Sequence, residues 1–300
     1  MSVQMADLSP DPAAVELLVP GTRLSVWDRV RHDWSLLVGG TIVVCIVLAA
    51  LVAVFWTPYD PLAVDPTQAL APASWHHLFG TDQYGRDVLS RLMGGAKLVL
   101  FSGAVSVAIA TVVGVPIGLA AAVRGGVIDE ALMRLVDLVY AFPALLAAIV
   151  LAAAVGASTL TAMSAIGIAY IPVFARVTRS SALQIVSSEY VLAARAYRRS
   201  TLAILVRHVL PNIRSILIVQ MSLLFSLAIL AEAGLSYLGL GTPAPAPSWG
   251  RMVEEAQDYL SNDPLLVLWP GVFIAVAVLG FNLLGDGLRD ILDPRLRSSR

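Results

Sequence analysis

Residues 98–123 read LVLFSGAVSVAIATVVGVPIGLAAAV, a run of 26 uncharged residues between Lys97 and Arg124. A helix that crosses the hydrocarbon core of a bilayer needs about 20 apolar residues, so this run is long enough to span. The composition agrees, since 58% of the 300 residues are hydrophobic, 14% are charged and the mean hydropathy is +0.79. Soluble domains carry about 25% charged residues. The sequence therefore predicts a membrane protein and excludes an ordinary soluble enzyme.

Further spans are expected in the other uncharged runs. The first covers residues 36–56, and the last two cover 215–231 and 264–285. Leu138–Ala175 contains 38 uncharged residues, which is too long for one span and suits two short ones. The small and polar residues 156–159 are the expected turn between those two. The predicted fold class is an all-α membrane protein with six transmembrane helices.

The basic residues give the orientation of these spans. Cytoplasmic loops of membrane proteins carry an excess of Lys and Arg. With the N-terminus inside, 16 of the 20 basic residues fall on the inner side, and the outer side keeps Arg86, Arg91, Lys97 and Arg251. Both termini are therefore predicted to be cytoplasmic.

Several kinds of chemistry are excluded by what the sequence lacks. A net charge of −1 argues against a nucleic-acid partner, and the single cysteine, Cys45, excludes an internal disulfide. The four histidines have no metal-ligand spacing, so no metal site is expected. The sole lysine, Lys97, is not part of the Gly-Lys-Ser/Thr motif that cradles nucleotide phosphates. If nucleotide hydrolysis drives this protein, another chain must bind the nucleotide.

Besides the first span, residues 36–56, the chain divides into five regions. Residues 1–23 are expected to form a loose tail, and residues 291–300 a cytoplasmic tail. Residues 24–35 alternate apolar and charged positions, which favours an amphipathic helix on the inner face or an extension of the first span. Residues 57–97 form an outer loop, and residues 98–290 form the core with five transmembrane helices.

The longest inner loop, 176–214, carries seven arginines. Within it, residues 189–197 contain good helix formers without Gly or Pro, and Ala193, Ala194 and Ala196 leave a smooth surface that another protein could approach. A generic positively charged inner loop is the alternative. On the outer side, loop 239–264 is predicted to hold a helix over residues 249–260, with Ser248 as its N-cap. Its apolar face is formed by Met252, Ala256 and Leu260, and its solvated residues are Arg251, Glu254, Glu255 and Asp258.

Ionisable residues within the spans are sparse, and Glu232 is the clearest case. It is expected to face the bundle interior, where it either pairs with a neighbour or lines a path. Pro116, Pro143 and Pro172 are expected to interrupt helices. Such breaks are tolerated where the backbone faces protein or a cavity, which is typical of transporters.

Taken together, several segments resemble one family. The sequence is similar, over about residues 24–297, to the C-type permease subunit of bacterial dipeptide, oligopeptide and nickel ABC importers. The matching segments are GTDQYGRD (80–87), RLVD (134–137), AFP (141–143), AEAGLSYLGLG (231–241), SWG (248–250), WPG (269–271), FNLLGDGLRD (281–290) and DPR (293–295).

The resemblance implies a type I ABC importer permease fold in which the inner loop docks into a separate ATPase. The segment that does so in the family falls on residues 192–194, with Leu210-Pro211-Asn212 closing the loop. Leu192 replaces the family's Glu, and Arg198 replaces a Gly, so a longer helix or a different exit from the helix is expected. Glu189 is the candidate substitute for the missing carboxylate. The docking residues implied are Glu189, Tyr190, Leu192, Ala193, Ala194, Arg195 and Ala196.

The resemblance also implies the partners and the remaining sites. The chain would be a non-catalytic half of a peptide pathway that works by alternating access in the bacterial inner membrane. It would assemble with a B-type permease, two cytoplasmic ATPases that bind ATP and Mg²⁺, and an extracytoplasmic binding protein, with no cofactor of its own. The path or gate would include Phe142, Pro143, Glu232 and Tyr237, and the side facing the binding protein would include Asp82, Arg86, Asp87, Trp249, Arg251 and Glu254.

Other functions remain open at this point. Nickel or another small solute could replace peptide as the substrate of such an importer. A proton-coupled secondary transporter would need a relay of embedded ionisable residues, for which only Glu232 qualifies. An intramembrane hydrolase would need a nucleophile next to a base, and the sequence contains no recognisable arrangement of that kind.

Overall fold

The computed structural model describes residue 31 and residues 33–292 of the chain. The predicted tail 1–23, most of the predicted inner-face helix 24–35 and residues 293–300 lie outside the described residues. The described part is all-helical. Its helices are α1 (Trp34–Phe55), α2 (Val88–Arg124), α3 (Gly126–Tyr140), α4 (Ala144–Val155), α5 (Thr159–Val186), α6 (Glu189–Ala196), α7 (Thr201–Ile204), α8 (Leu210–Tyr237), α9 (Trp249–Ala256) and α10 (Leu265–Leu292).

The number of spans agrees with the prediction of six. Five helical segments in the described chain are long and apolar enough to cross a membrane: α1, α2, α5, α10 and the segment 201–237 that ends with α8. The sixth candidate is the pair of α3 and α4, which meet at an angle of 78° and are counted together as one bent span. In place of the single short helix that hydropathy predicts, the chain has the amphipathic α3 followed by the apolar α4.

Polar side chains cap the first turn of several of these helices. Asp33 accepts a hydrogen bond from the Leu36 backbone nitrogen at 3.0 Å and starts α1. Ser158 does the same for Thr161 at 3.1 Å and starts α5. Such caps satisfy backbone donors that the first helical turn leaves free. Gly156, with φ of 100°, ends α4, so the turn predicted at 156–159 is confirmed.

Two of the three prolines expected to break helices do not do so. Pro116 lies inside the continuous α2, and Pro172 lies inside the continuous α5. Only Pro143, just before α4, sits at an interruption, with an extended ψ of 129°. A membrane helix can keep an internal proline when neighbouring helices and local adjustments satisfy the freed carbonyl, which sequence alone does not reveal.

Close approach of backbones holds the bundle together. α2 and α5 pack most extensively, through Gly114 and Gly118 of α2. A Cβ on Gly114 would lie 2.7 Å from the Ile171 carbonyl oxygen, and one on Gly118 would overlap the carbonyl oxygen of Ala175. In membrane interiors small residues allow this contact, because van der Waals packing replaces the hydrophobic effect as the main attraction between helices.

The inner and outer connections differ from simple loops. The predicted inner loop 176–214 overlaps the end of α5 and the start of α8, and α7 is joined to α8 by a π-helical turn at Leu205–Val209. The outer loop 57–97 ends earlier than expected, because Asp87 caps α2 and the helix begins at Val88. The predicted outer helix 249–260 is shorter: α9 ends at Ala256 and a 3-10 turn covers Gln257–Tyr259.

Candidate functional site

Residues 187–209 form a compact inner elbow between α5 and α8. Its first helix, α6, confirms the helix that the sequence predicts from residue 189 onward. Val191 is fully buried and packs in one apolar cluster with Ile204, Val209 and Phe174 of α5. The elbow is therefore attached to the bundle by apolar contacts on one side only.

The other side of α6 faces solvent. Leu192 is 51% exposed, and Ala194 is the one predicted docking residue that is half-buried. The remaining docking residues are all exposed: Glu189, Tyr190, Ala193, Arg195 and Ala196. Because alanines present little bulk, this face allows close approach by another surface.

The exit from α6 is a tight reversal centred on Arg198. This residue has a φ of 52°, in the left-handed region that glycine adopts most easily. The Arg198 nitrogen donates to the Arg195 carbonyl at 2.9 Å, and the Arg199 nitrogen donates to the Ala194 carbonyl at 3.2 Å. This is the hydrogen-bond pattern of a Schellman C-cap. Both expectations for this position are wrong: the helix ends at Ala196, and Arg198 leaves it with the positive φ that a glycine would adopt there.

The arginine at this position is strained. The left-handed conformation costs a non-glycine residue roughly 1–2 kcal/mol, since its Cβ crowds the following carbonyl. Arg198 thus adopts the backbone conformation that a glycine would adopt without strain, while it adds a positive charge at the tip of the elbow.

A groove of about 700 Å³ opens between α6 and the segment after it. Its walls are tied together, because Asn212 donates to the Tyr190 hydroxyl at 3.4 Å and to the His208 carbonyl at 2.6 Å. The Tyr190 and His208 rings lie 6.2 Å apart. The groove combines small, aromatic and basic side chains: Tyr190, Ala193, Ala194, Tyr197, Arg199, Ala203, Ile204, Arg207 and His208.

Two ion pairs join α3 to α5 close to the elbow. Arg179 donates to both carboxylate oxygens of Asp129, each at 2.5 Å. Arg176 donates to Asp137 at 2.6 Å, and its guanidinium lies 4.2 Å from the centre of the Tyr140 ring. A bidentate arginine–carboxylate contact fixes the relative orientation of the two side chains as well as their distance. These contacts connect α5 to α3.

The break between α3 and α4 holds two of the residues predicted for the pathway. Phe142 is 63% exposed and Pro143 begins the second half of the span. The other two, Glu232 and Tyr237, lie on α8, and no hydrogen bond in the described chain joins them to the break. The structure thus brings the four residues to two separate places.

Glu232 is enclosed by the chain's own polar groups. It is only 1% exposed, and its Oε1 accepts hydrogen bonds from Ser236 at 2.7 Å and Ser248 at 3.1 Å. Its Oε2 is buried without a hydrogen-bond partner among the described residues. Of the two roles expected for Glu232, the structure shows the first, in which the carboxyl group pairs with neighbouring side chains. The carboxyl group joins the outer end of α8 to Ser248, the residue that precedes α9.

Tyr237 is the more accessible member of this outer pair. It is 40% exposed, and its hydroxyl donates to Gln257 Oε1 at 2.9 Å, in the turn after α9. The outer end of α8 is therefore linked to the residue before α9, through Ser248, and to the turn after it, through Gln257. The outer helix is held against α8 by polar contacts.

Buried ion pairs hold the outer loop to α9. Asp82 contacts both Arg86, at 2.6 Å, and Arg91, while Glu255 of α9 accepts from Arg86 at 2.7 Å and from Arg91 at 2.9 Å. Arg251 adds a contact to Glu255 at 3.1 Å. Desolvation by burial raises the pKa of the Glu255 carboxyl, but the charges of Arg91 and Arg86 outweigh it and hold that pKa below its usual range.

Four residues expected to face a binding protein are buried in this structure. Asp82, Arg86 and Asp87 are engaged within the outer loop, and Trp249 donates its ring N–H to the Leu92 carbonyl at 2.9 Å. Polar groups in a short, ordered loop satisfy one another first. That this side of the protein faces a binding protein stays a prediction. Arg251 and Glu254 stay half-exposed on α9.

Sequence reasoning missed three participants in these sites. Glu255 was expected to be solvated, whereas its side chain is 14% exposed. Arg91 was expected only as an outer basic residue, and Ser248 only as the start of the outer helix. Their partners could not be predicted, since these lie far away along the chain. The apolar stripe of α9 was right for Met252 and Ala256, which are buried, and wrong for Leu260, which is exposed.

Two models of known protein families match most of the chain. The family described as "Binding-protein-dependent transport system inner membrane component" matches residues 114–298. The family "N-terminal TM domain of oligopeptide transport permease C" matches residues 24–73. The first match contains every helix from α3 onward and the inner elbow.

Individual proteins match along nearly the full length. The chain is 42% identical over 269 residues to a putative peptide transport system permease protein of Brucella abortus, covering 90% of each chain. It is 37% identical to the dipeptide transport system permease protein DppC of Alkalihalophilus pseudofirmus, covering 97% of each. It is 38% identical to the oligopeptide transport system permease protein OppC of Bacillus subtilis, covering 91% of each.

A solved structure gives independent support for the fold. A chain of the MetNI methionine ABC transporter, in inward-facing conformations, superposes with a TM-score of 0.56 at 19% sequence identity. The match covers 67% of this chain and 96% of that one. The family match over residues 114–298 and the relatives that match along nearly the full length agree, and the chain therefore belongs to the family of inner-membrane components of binding-protein-dependent transport systems, as a multi-pass permease subunit.

Proposed function

We propose that this chain is the C-type permease of a bacterial inner-membrane importer for di- or oligopeptides. In this proposal it works with a B-type permease, two cytoplasmic ATPase subunits and an extracytoplasmic binding protein. The names of the relatives, which are peptide, dipeptide and oligopeptide permeases, support the substrate class. The exposed, alanine-rich α6 on the inner side is the observation that carries the role of ATPase partner.

The contacts of the elbow suggest how motion would pass from the ATPase to the pathway. α6 follows α5 after only two residues, and Asn212 ties Tyr190 to the start of α8. The pairs Arg179–Asp129 and Arg176–Asp137 then connect α5 to α3, which leads to the break at Phe142 and Pro143. A push on α6 would move both helices that flank the elbow, and through α3 it would turn the broken span. This supports alternating access with Phe142 at the gate.

The nucleotide chemistry belongs to the partner in this proposal. ATP and Mg²⁺ would be bound by the ATPase subunits, and this chain would convert their closure into rotation of its helices. Its own contribution is mechanical: a firm elbow, a hinge at Pro143, and an outer region braced by Glu232 and Glu255. Arg251 and Glu254 are the predicted side chains left partly exposed on α9 for a binding protein.

The proton-coupled alternative is less well supported. Its main candidate residue, Glu232, is hydrogen-bonded to Ser236 and Ser248 and closed off from solvent. A proton relay needs a chain of ionisable groups through the membrane. The described hydrogen bonds of Glu232 lead to hydroxyl groups of the same outer region, and not to another carboxyl group or a histidine.

The docking role is tested by Ala193→Asp, with Ala193→Ser as the matched control. The carboxylate adds bulk and charge to the exposed face of α6, whereas the hydroxyl adds little of either. We expect Ala193→Asp to insert into the membrane normally but to lose co-purifying ATPase subunits, and Ala193→Ser to keep them. Normal ATPase recovery with Ala193→Asp would contradict the docking assignment.

The substrate class is tested by uptake in proteoliposomes that contain the full complex and its binding protein. We expect ATP-dependent accumulation of a labelled dipeptide or short oligopeptide, and none of Ni²⁺ over the same period. Nickel uptake without peptide uptake would replace the peptide proposal. Uptake driven by a pH gradient in vesicles that hold this chain alone would support the secondary-transporter alternative instead.

A further inference from the structure

The inner elbow carries a marked excess of positive charge. Residues 187–209 contain four arginines and His208 against one carboxylate, Glu189 at the start of α6. Among the residues that the structure describes, none of these arginines forms an ion pair. Other inner arginines do have partners within the chain, namely Arg134, Arg176 and Arg179. The elbow arginines are all exposed: Arg195, Arg198, Arg199 and Arg207.

The charge sits around a concave surface. Arg199, Arg207 and His208 line the groove of about 700 Å³ beside α6, together with Tyr190 and Tyr197. Tyr197 is 85% exposed, although tyrosine is a residue that usually buries its ring. Tyrosine and arginine are enriched among residues that contribute most to protein interfaces. The groove therefore has the composition of a contact surface for a protein.

The strained exit of α6 also indicates a contact surface for a protein. Arg198 keeps a φ of 52° at the position where a glycine would be relaxed. Its side chain forms no hydrogen bond with another described residue that would offset this strain, and only its backbone nitrogen donates, to the Arg195 carbonyl. Strained residues of this kind are found where the side chain has a role in function. A contact to a partner's carboxylate would supply the missing stabilisation.

From these observations we infer that the partner surface that meets the elbow is acidic, and that Arg198, Arg199 and Arg207 supply the positive side of the contacts. The inference rests on the proposed ATPase docking, and it adds which side of that interface is positive and which is negative. Leu192 cannot offer a carboxylate from the centre of α6, so the negative groups must come from the partner. Complementary charge across an interface sets partner choice and association rate.

A charge reversal tests this polarity. The variant Arg199→Glu/Arg207→Glu is co-expressed with the binding protein, second permease and ATPase subunits, and the ATPase recovered per permease is measured after purification. The control is Arg124→Glu, which makes the same kind of change at an exposed inner position outside the elbow. We expect at least about a tenfold loss of ATPase with the double variant and none with the control, because each close charge pair at an interface is worth that much or more.

Salt and suppressor changes provide further readouts. Raising the salt concentration should lower ATPase recovery with the wild-type chain, since salt screens exposed charges. Changes that restore growth to the double variant should replace Asp or Glu with Lys or Arg in the ATPase. Should the double variant fail to insert, Arg199→Gln/Arg207→Gln is used, and it must lie between the wild type and the reversal.

The outcomes separate this inference from the docking proposal. If Ala193→Asp loses the ATPase while the charge reversal keeps it, the docking role stands and the acidic partner surface is overturned. If both variants keep the ATPase, both proposals are overturned. If the reversal keeps the ATPase but lowers binding to vesicles only when these contain an anionic lipid, the elbow charges serve the membrane surface, and the inference is wrong.

Discussion

Arg91 and Glu255 are 164 residues apart in the chain, and their side chains lie 2.9 Å apart in the structure. Arg91 is at the start of α2 and only 2% exposed, and Glu255 belongs to α9. Together with Asp82 and Arg86 they form a charge-balanced set that fastens the outer helix to the first outer loop. The geometry of the outer face therefore depends on pairs that no local pattern contains.

Removing one member of this set should destabilise the protein. Arg91→Met leaves Asp82 and Glu255 with one positive partner fewer in a buried place, which costs about 3–5 kcal/mol. The matched control is Arg251→Met, whose partly exposed contact to Glu255 is worth less than about 1 kcal/mol. Thermal unfolding of the purified chain in detergent measures both. Equal effects of the two changes would contradict the assigned importance of Arg91.

The same set predicts a dependence on pH. The pKa of Glu255 is lower in the folded protein than its ordinary value of 4.5, because Arg91 and Arg86 outweigh desolvation. Such a group binds protons more readily when unfolded, so it contributes stability above that value and loses it as the pH falls through the folded pKa. We expect the unfolding temperature to be constant from about pH 6 to 8, where carboxylates stay charged, and to fall in acid. Glu255→Gln should be less stable at neutral pH and show a shallower fall in acid. A fall of unchanged steepness would exclude Glu255 as its source.

Arg198→Gly should stabilise the elbow. The change removes the strain of a left-handed arginine, roughly 1–2 kcal/mol, less the added freedom of glycine in the unfolded chain. Arg198→Ala is the control, because it removes the charge and keeps the Cβ that causes the strain. We expect slower proteolysis of the elbow in the glycine variant than in the alanine variant. No difference between them would mean that the backbone at this position is not strained.

The carboxyl group of Glu232 should act through shape and hydrogen bonding. Glu232→Gln keeps an oxygen for Ser236 and Ser248, so it should be tolerated better than Glu232→Ala, which leaves both hydroxyl groups without their acceptor. An unsatisfied buried polar group costs about 1–3 kcal/mol. Unfolding temperature and peptide uptake are the measurements. If the glutamine variant loses uptake as fully as the alanine variant, while both fold, the carboxyl group has a role beyond this connection.

Glycine positions in the spans offer a packing test. Gly118→Ala places a methyl group against the Ala175 carbonyl oxygen and should separate α2 from α5. Gly40→Ala is the control, since a Cβ there meets no atom within 4 Å. Overpacking of a tight contact costs about 1–3 kcal/mol, whereas alanine in an open helical position is neutral or slightly favourable. The unfolding temperature of the Gly40 variant should match the wild type, and equal losses in both variants would disprove the close α2–α5 contact as the cause.

Much of the candidate site was accessible from sequence. The position of α6, the exposure of Ala193 and Ala196 and the turn at Gly156 follow from composition and from residues with local conformational preferences. Arg198 was recognised as the unusual residue of the elbow, but whether it prolonged or ended the helix could not be told. An arginine has ordinary helix propensity, and only the packing of Val191 and Ile204 against α5 and α8 forces the chain to reverse there.

The sequence by itself determined the number of candidate spans and the presence of a helical elbow, because hydropathy and helix propensity are properties of consecutive residues. Loop charge predicts the orientation of these spans in the same way. Tertiary structure decided the break at Pro143, the continuity through Pro116 and Pro172, and the pairing of Glu232 and Glu255. These depend on which backbone groups and charges neighbouring helices bring together. A bilayer selects spans one at a time, whereas only the folded bundle selects their partners.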